Sequence, residues 1–259
     1  MLKVLITGRN GYVASSLEPY FKDNYELTLV GRSDVNLTDS IGVNTWFRDK
    51  VFDVVIHTAI RGGHRLHEDD ASILQANLKM YYNILDNRER YGRLINIGSG
   101  AEIYDVTSPY GHSKKIIRDS VMSQSDCYNI RAYGIFDENE LDTRFIKGNV
   151  LNYIHKRNLT LYQNKKMDLF YMKDFVALLK HYIHTESVPK EIDCTYSTTY
   201  YLSDILNTIN TLSDYNVSIT RYDAIMYPDY AGVYQELNLP YIGLHEGIKT
   251  VYQKLLCNQ

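Results

Sequence analysis

The first half of the chain alternates short apolar runs with longer amphipathic stretches. A short apolar run between polar neighbours predicts a buried strand. The runs of this kind are Leu2–Ile6, Glu26–Val30, Asp53–His57, Arg93–Ile97 and Tyr128–Arg131. Strands that are apolar throughout are typical of parallel sheets, because helices cover such sheets on both faces.

The stretches between these runs have apolar residues three and four positions apart, as in amphipathic helices. The first predicted helix begins after Gly11 and contains Pro19, which is expected to kink or shorten it. Two longer helices are predicted over Ser72–Arg90, which Gly92 would end, and over Tyr110–Ser123. This alternation of strand and helix predicts an α/β fold with a Rossmann-type doubly wound parallel sheet.

After Gly134 the alternation is less regular. Further elements are predicted as helices over Leu141–His155, Lys173–Ile183, Tyr201–Leu212 and His245–Leu256, and as a strand over Leu159–Tyr162. No linker rich in Pro, Gly or Ser separates the halves. We therefore expect residues 1–134 to bind a dinucleotide. Residues 135–259 would form mainly a smaller substrate-binding lobe, with some segments returning to the first domain and a cleft at the strand ends.

A glycine turn joins the first strand to the first helix. Gly8 permits a tight turn, Gly11 lets the backbone approach a pyrophosphate, and Ala14 stands where a small residue allows the helix to pack on the strand. The N-terminus of a helix attracts phosphate through its N–H groups and its dipole. Strand, glycine turn and helix together predict a dinucleotide site.

Composition narrows the class of protein. The 259 residues carry a net charge of −3, so there is no electrostatic case for binding nucleic acid or an anionic membrane. No apolar run reaches the roughly 18–20 residues of a membrane span, and the chain begins directly with a strand, so no signal peptide is predicted. The three scattered cysteines argue against a disulfide framework or a metal site. We expect a cytoplasmic protein.

Basic residues near the second strand suggest which dinucleotide is bound. An acid at the end of this strand would hold the ribose 2′-OH of NAD, whereas an arginine accommodates the 2′-phosphate of NADP. No acid is predicted at the strand end, since Arg32 and Ser33 follow the strand, and Arg9 lies in the first glycine turn. NADP(H) is therefore the preferred prediction, and NAD(H) remains possible.

A tyrosine and a lysine form the candidate chemical centre. Tyr110 and Lys114 are four residues apart and share one face of a predicted helix. A nearby ammonium favours the phenolate and lowers the pKa of a tyrosine. Ser99, at the end of the preceding strand, would reach the same place. Such a set of groups can bind a carbonyl oxygen and move a proton to or from it.

Several motifs together resemble a known family. They are Thr7–Ala14, Asn36–Asp39, Val55–Ala59 with Gly62 and Gly63, Gly98–Glu102, Pro109–Lys114, Asn129–Gly134, Leu169–Asp174 and Gly243–Ile248. Over nearly its whole length the chain resembles extended short-chain dehydrogenases/reductases of the NAD-dependent epimerase/dehydratase type. It is most similar to the branch around GDP-L-fucose synthase and related nucleotide-sugar 4-ketoreductases.

The resemblance implies roles for individual residues. Ser99, Tyr110 and Lys114 would be catalytic. The cofactor would be bound by Gly8, Arg9, Asn10, Gly11, Tyr12, Val13, Arg32, Ser33, Asn36, Leu37, Thr58 and Ala59, with Tyr110 and Lys114. The resemblance also implies a homodimer formed through the two longest helices of the first domain.

The chain departs from the family pattern in its substrate region. Met167 stands where the family has an arginine that grips the sugar diphosphate, and Lys165 or Lys166 would replace it as a point charge. Ala101 takes the place of the cysteine that epimerising members use, and Thr143–Phe145 lacks their histidine. Only ten residues separate Ser99 from Tyr110, which predicts a more open substrate mouth.

Three hypotheses follow. The first is NADPH-dependent reduction of a nucleotide-linked 4-keto-6-deoxy sugar, with hydride delivered to C4, Tyr110 as proton donor and no epimerisation at C3 or C5. The second is epimerisation, either by a nucleotide-sugar 4-epimerase with tightly bound NAD or by a bifunctional enzyme of the GDP-L-fucose synthase type. The third is a non-catalytic dinucleotide-binding regulator, which would have no need of the Ser99, Tyr110 and Lys114 set.

Overall fold

The computed structural model describes residues 1–63, 69–222 and 228–258. Among these residues the strands are β1 (Lys3–Thr7), β2 (Glu26–Val30), β3 (Phe52–His57), β4 (Tyr91–Ser99), β5 (Cys127–Ala132), β6 (Ile135–Phe136), β7 (Leu159–Leu161), β8 (Phe170–Tyr171), β9 (Glu191–Asp193) and β10 (Ile219–Arg221). The helices are α1 (Tyr12–Phe21), α2 (Ser40–Phe47), α3 (Ala71–Leu85), α4 (Ala101–Tyr104), α5 (Pro109–Ser123), α6 (Phe145–Ile154), α7 (Met172–His184), α8 (Leu202–Ile209) and α9 (Leu244–Cys257).

The chain divides into two compact units. The first contains Met1–Arg131 and Lys180–Ile192, and the second contains Ala132–Leu179 and the chain from Asp193 onward. A segment of the second half of the sequence, including most of β9, thus belongs to the first unit. The functional division into a dinucleotide domain and a substrate lobe stays a prediction.

The described residues of the first unit form a six-stranded sheet in the order β2-β1-β3-β4-β5-β9. Strand β1 pairs in parallel with both β2 and β3, and Ile6 lies between Leu29 and Ile56. Val4, Leu5 and Ile6 are all buried, because successive side chains point to opposite faces and helices cover both faces. The predicted Rossmann-type α/β fold is confirmed.

Helix α3 is shorter than the sequence pattern predicts. It ends at Leu85, and Arg88–Arg90 forms a separate single turn of 3-10 helix. Gly92 does not end the helix; it lies inside β4, where a Cβ atom would come within 2.8 Å of the Asp53 carbonyl oxygen. The periodic apolar residues end at Leu85 and residues 86–90 are all polar, so the end of the apolar spacing coincides with the observed end of the helix.

Helix α1 contains Pro19 and ends two residues beyond it, at Phe21. One predicted helix start is wrong for a local reason. Helix α6 begins at Phe145 rather than at residue 141. The residues before α6 form a turn in which the Glu140 carboxylate accepts the backbone N–H of Lys147 at 3.1 Å. Such polar side chains near a helix N-terminus compete with extension of the helix.

The second unit has its own apolar core. Its small sheets pair β6 with β8 and β7 with β10, and helices α6, α8 and α9 pack beside them. Fully buried side chains of this core include Phe136, Tyr153, Leu161, Tyr171, Ile205 and Ile248. Helix α9 approaches β8 closely, because a Cβ atom at Gly247 would lie 2.8 Å from the Tyr171 ring.

Candidate active site

The turn between β1 and α1 is shaped by two glycines. Gly8 has a φ of +79°, and a Cβ atom there would lie 3.0 Å from the backbone of Ala59. Gly11 donates its N–H to the Gly8 carbonyl at 2.7 Å. It occupies the N-cap of α1, where a Cβ atom would lie 3.1 Å from that carbonyl. The predicted strand, tight turn and helix are therefore observed.

This turn fits a phosphate group of a dinucleotide. The first N–H groups of a helix have no carbonyl partner inside the helix. Gly11, at the N-cap, has no side chain to cap them. The N–H groups of Val13 and Ala14 lie in this first turn, where the helix dipole also favours an anion. Small residues at the turn give a ligand close access to the backbone.

Thr7 holds the start of the loop after β3. Its hydroxyl oxygen accepts the backbone N–H groups of Thr58 and Ala59, each at 3.1 Å. The single hydroxyl hydrogen is then available for Nδ1 of His57, which lies 3.0 Å away. Burial lowers the pKa of His57 to about 3, so its imidazole is neutral. Thr58 and Ala59 are thereby fixed beside the glycine turn.

The end of β2 differs from the prediction that no acid lies there. Arg32 and Ser33 are exposed, as a cofactor contact requires. The Asp34 carboxylate, however, accepts the N–H of Gly31 at 2.8 Å and lies 3.0 Å from Nη1 of Arg9. A tight turn, in which the Asp34 N–H reaches the Gly31 carbonyl, brings this acid back to the strand end.

The other predicted cofactor residues lie around the same edge of the sheet. Asn10 is exposed, and Tyr12 and Val13 are half-buried in the first turn of α1. The Asn36 side chain accepts the Thr38 hydroxyl at 2.9 Å. Leu37 is a core residue whose carbonyl accepts the side chain of Asn83.

Helix α5 carries Tyr110 and Lys114. Ser108 caps its N-terminus by accepting the Gly111 N–H at 3.0 Å, and Pro109 occupies its first position. A Cβ atom at Gly111 would lie 1.9 Å from the Asp105 carbonyl oxygen. Only glycine therefore lets α5 pack so closely against the end of α4.

The predicted catalytic residues meet around the carboxyl end of β4. Nζ of Lys114 lies 5.8 Å from the centre of the Tyr110 ring and donates to the Ile97 carbonyl at 2.6 Å. Ser99 ends the same strand, and its hydroxyl accepts the Ala101 N–H at 3.2 Å. Burial lowers the pKa of Lys114 to about 8. Lys114 can thus place positive charge beside the tyrosine while remaining close to titration.

The loop after β3 packs on Tyr110. A Cβ atom at Gly63, whose φ is +71°, would lie 2.9 Å from Cζ of the Tyr110 ring. Asn77, fully buried on α3, joins this loop to α5. It bonds both backbone groups of Arg61, at 2.8 and 3.0 Å, and donates to the Ser113 hydroxyl at 3.0 Å. The sequence prediction missed Asn77, although a polar residue on a buried helix face was a signal.

The predicted substrate-binding positions lie in the second unit. Met167 is buried in the core of that unit. Nζ of Lys165 lies 5.3 Å from the Tyr230 ring centre, and Nζ of Lys166 lies 5.5 Å from that of Tyr201. Arg144, in the region where epimerising members have a histidine, is exposed at the N-cap of α6.

Within residues 1–63, 69–222 and 228–258, no group of three or more His, Cys, Asp or Glu side chains could hold a metal ion. None of the helices in this described part of the chain is long and apolar enough to cross a membrane.

Comparison with known proteins gives the family. Residues 4–194 match the model of the NAD dependent epimerase/dehydratase family. A CDP-abequose synthase from Yersinia pseudotuberculosis is 26% identical over 262 residues, covering 88% of this chain and 92% of the relative.

Solved structures share the fold. A GDP-mannoheptose C4 reductase from Campylobacter jejuni with NADP bound has a TM-score of 0.78 and 12% identity over 97% of each chain. A UDP-glucuronic acid 4-epimerase from Bacillus cereus with NAD bound has a TM-score of 0.79 and 15% identity over 100% of each chain. The chain belongs to the NAD dependent epimerase/dehydratase family and is an NAD(P)-dependent enzyme of the extended short-chain dehydrogenase/reductase type.

Proposed function

We propose that this enzyme reduces a nucleotide-linked 4-keto-6-deoxy sugar at C4 with NADPH, without epimerisation at C3 or C5. The observation that carries the proposal is the placement of Lys114 over the Tyr110 ring at the end of β4. A tyrosine with an ammonium beside it can give a proton to an oxygen and can exist as phenolate afterwards.

Each of the proposed catalytic and cofactor-binding residues of the first unit has a separate role in this reaction. When bound, NADPH supplies the hydride that the keto carbon receives. Tyr110 donates the proton to the sugar oxygen, Lys114 stabilises the resulting phenolate, and the Ser99 hydroxyl orients the carbonyl. Gly8 and Gly11 hold the cofactor phosphates through the backbone, as their lack of room for a Cβ atom suggests.

Arg32 and Arg9 support the choice of NADP(H). The Arg9 N–H donates to the Val30 carbonyl and Arg32 lies two residues beyond β2, so both residues are near the strand end where a dinucleotide of this fold places its adenosine ribose. Asp34 pairs with Arg9 at 3.0 Å and thereby orients it. A 2′-phosphate would compete with Asp34 for that arginine, while the exposed Arg32 would bind it without such competition.

The substrate class is supported by the relatives and by two lysines. The names of the CDP-abequose synthase and the GDP-mannoheptose reductase both identify nucleotide-sugar enzymes. Lys165 and Lys166 immediately precede the buried Met167 and offer two point charges for a diphosphate. A homodimer formed through α3 and α5 remains part of the proposal.

A nucleotide-sugar 4-epimerase with tightly bound NAD is the second candidate. The observation in its favour is Asp34, because an acid at the end of β2 suits the free 2′-OH of NAD. The bifunctional type is less well supported, since Ala101 cannot exchange a proton and an exposed arginine such as Arg144 is a poor base.

One experiment separates these candidates. The enzyme is incubated in D₂O with NADPH and a 4-keto-6-deoxy nucleotide sugar, and the products are examined by NMR. Simple reduction consumes one NADPH per product and leaves C3 and C5 without enzyme-dependent deuterium. Deuterium at either carbon above the rate without enzyme would contradict the proposal. A 4-epimerase would interconvert nucleotide sugars without net consumption of cofactor.

A further inference from the structure

A chain of ion pairs, buried at Arg131 and Glu102 and partly exposed at Glu191 and Arg118, runs through the first unit. Arg131, on β5, has only 7% of its side chain exposed. Its Nε lies 2.5 Å from Oε1 of Glu102, and its Nη2 lies 2.6 Å from Oε2 of Glu191. Glu191 in turn receives Nε and Nη2 of Arg118, at 2.6 and 3.0 Å. The four side chains thus form a continuous row of contacts in the order Glu102, Arg131, Glu191 and Arg118.

One end of this chain lies beneath the Ser99 turn. Glu102 is in α4, and its Oε2 accepts the backbone N–H of Ser99 at 3.4 Å. Its Oε1 also accepts the Asn129 side chain at 2.8 Å. Gly98 packs directly on these groups, because a Cβ atom there would lie 3.0 Å from Glu102 and 2.8 Å from Asn129.

The other end of the chain lies on the helix that carries the proton donor. Arg118 is four residues beyond Lys114 on α5, and Lys114 is four residues beyond Tyr110. Residues at this spacing lie on the same side of a helix, one turn apart. The ion pairs therefore connect the turn of Ser99, by way of β5 and β9, to the helix face of Tyr110 and Lys114.

Stability alone does not account for this arrangement. Replacing a buried ion pair by packed apolar side chains is often neutral or stabilising, because removal of charges from water is costly. Ion pairs nevertheless have strict geometry, and an Arg–carboxylate fork fixes two elements in one relative position. Burial raises the pKa of Glu102, and the Arg131 guanidinium opposes that shift.

We propose that Arg131, Glu102, Glu191 and Arg118 are positioning residues that hold the Ser99 turn and helix α5 in one fixed relation. None of them touches the reacting atoms. They act by fixing where the Ser99 hydroxyl, the Tyr110 phenol and the Lys114 ammonium stand relative to one another. The expected effect on turnover rests on the proposed function, whereas the fixed position of α5 relative to the Ser99 turn rests on the structure alone.

Glu191→Gln tests the proposal because it removes the charge shared by both arginines. Arg118→Met is the second variant, and its site tolerates change since a third of that side chain is exposed. Small misplacements of catalytic groups can reduce a rate by as much as about 10²-fold. We expect each variant to lower kcat roughly tenfold, with the KM for the keto sugar and the NADPH dissociation constant within about threefold of wild type.

Hydrogen–deuterium exchange provides a second measurement, which needs no substrate. Hydrogen–deuterium exchange is expected to quicken in peptides covering α4 and α5. The matched control is Arg93→Met, which removes an arginine that bonds the Thr185 carbonyl and lies over the Tyr128 ring in the same unit. The control is expected to lower the melting temperature but to leave kcat and the exchange of α5 unchanged.

The outcomes separate the two proposals. Wild-type exchange in α4 and α5 of both variants would overturn the positioning role, whether or not a keto sugar is turned over. The positioning role would also be overturned if a variant and the Arg93→Met control had equal melting temperatures and the variant lost no more kcat than the control. Absence of turnover in the wild-type enzyme, with faster exchange in both variants, would overturn the proposed function and leave the positioning role supported.

Discussion

The two units use buried carboxylates in different ways. In the first unit, Glu102 and Glu191 are paired with arginine side chains. In the second unit, three buried aspartates accept backbone N–H groups of an irregular segment. These contacts join Asp168 to Gly232, Asp193 to Val233, and Asp174 to Ile242 and Gly243, at 2.7–2.9 Å.

The difference follows from the backbone around each acid. In the first unit the strands satisfy most of one another's backbone groups. Glu102 accepts the Ser99 N–H, but its contacts with Asn129 and Arg131 join side chains across elements. In the second unit residues 231–243, which the structure describes in full, form no helix or strand. Their N–H groups need other partners, and the buried carboxylates supply them. The carboxylates therefore join the elements around the candidate active site in the first unit, and they hold an irregular segment in place in the second.

The comparison predicts opposite responses to pH. Burial works against ionisation of Glu191, but hydrogen bonds from Arg118 and Arg131 prevail and lower its pKa to about 2. Its stabilising contribution is present above the unfolded value of 4.5 and is lost as pH falls toward about 2. Burial raises the pKa of Glu140 to about 8 and that of Asp168 to about 6, so their contributions are lost as pH rises through those values.

The largest effect is expected within the first unit, at the proton donor. Tyr110→Phe keeps the ring that packs on Gly63 but removes the hydroxyl. General acid catalysis is worth about 10²–10⁴ in rate, so turnover should fall by that factor while NADPH still binds. Steady-state kinetics and fluorescence titration with NADPH measure the two quantities. Tyr82→Phe, at an exposed tyrosine of α3, is the control and should retain full activity. Activity of Tyr110→Phe within threefold of wild type would show that another group supplies the proton.

A smaller effect is expected at the end of β2. Arg32→Ala should weaken NADP binding by roughly ten- to a hundredfold, because a charge-assisted contact to phosphate is worth about 1.5–3 kcal/mol. NAD binding should be nearly unchanged, since NAD has no 2′-phosphate. Titration calorimetry with both dinucleotides checks this, and equal losses for both would reject the assignment of Arg32.

Asp34→Asn is the matched variant at the same strand end. Loss of the carboxylate releases Arg9 and removes negative charge near the proposed 2′-phosphate position. NADP should then bind up to about tenfold more tightly. Weaker NAD binding in this variant would indicate that Asp34 holds the ribose of NAD and would favour the epimerase candidate.

The smallest effect concerns stability of the second unit. Glu140→Gln keeps the shape of the side chain and the acceptor for Lys147 but cannot ionise. At pH 9 it should raise the free energy of unfolding by about 1–3 kcal/mol, because a shift of one pKa unit corresponds to about 1.4 kcal/mol. At pH 4 the difference should vanish. Urea unfolding across this range measures it, with the exposed Glu246→Gln as control. Equal stability of variant and wild type at pH 9 would contradict the raised pKa of Glu140.

The sequence by itself determined the features that depend on neighbours along the chain. The strand ending at Thr7, the glycine turn and α1 follow one another within about twenty residues. The N-cap of α5 and the helix face that carries Tyr110 and Lys114 are equally close together in the chain. Apolar spacing and a glycine turn act locally, so the pattern reveals them. These signals predicted the fold, and the four-residue spacing of Tyr110 and Lys114 together with the family resemblance predicted the proposed catalytic residues.

Only the tertiary structure decided which distant polar groups meet. Asn77 reaches Ser113, and Arg131 joins Glu102 to Glu191, which is 60 residues beyond it in the chain. Even Asp34, four residues past its strand, required knowledge of the turn to be placed. Such partners are chosen by the packing of whole elements, because a buried charge must find its counterion wherever the folded chain brings one. Sequence periodicity does not predict such long-range partners. The position of Glu191 beside Arg131 is therefore known only from the folded sheet, in which β9 lies next to β5.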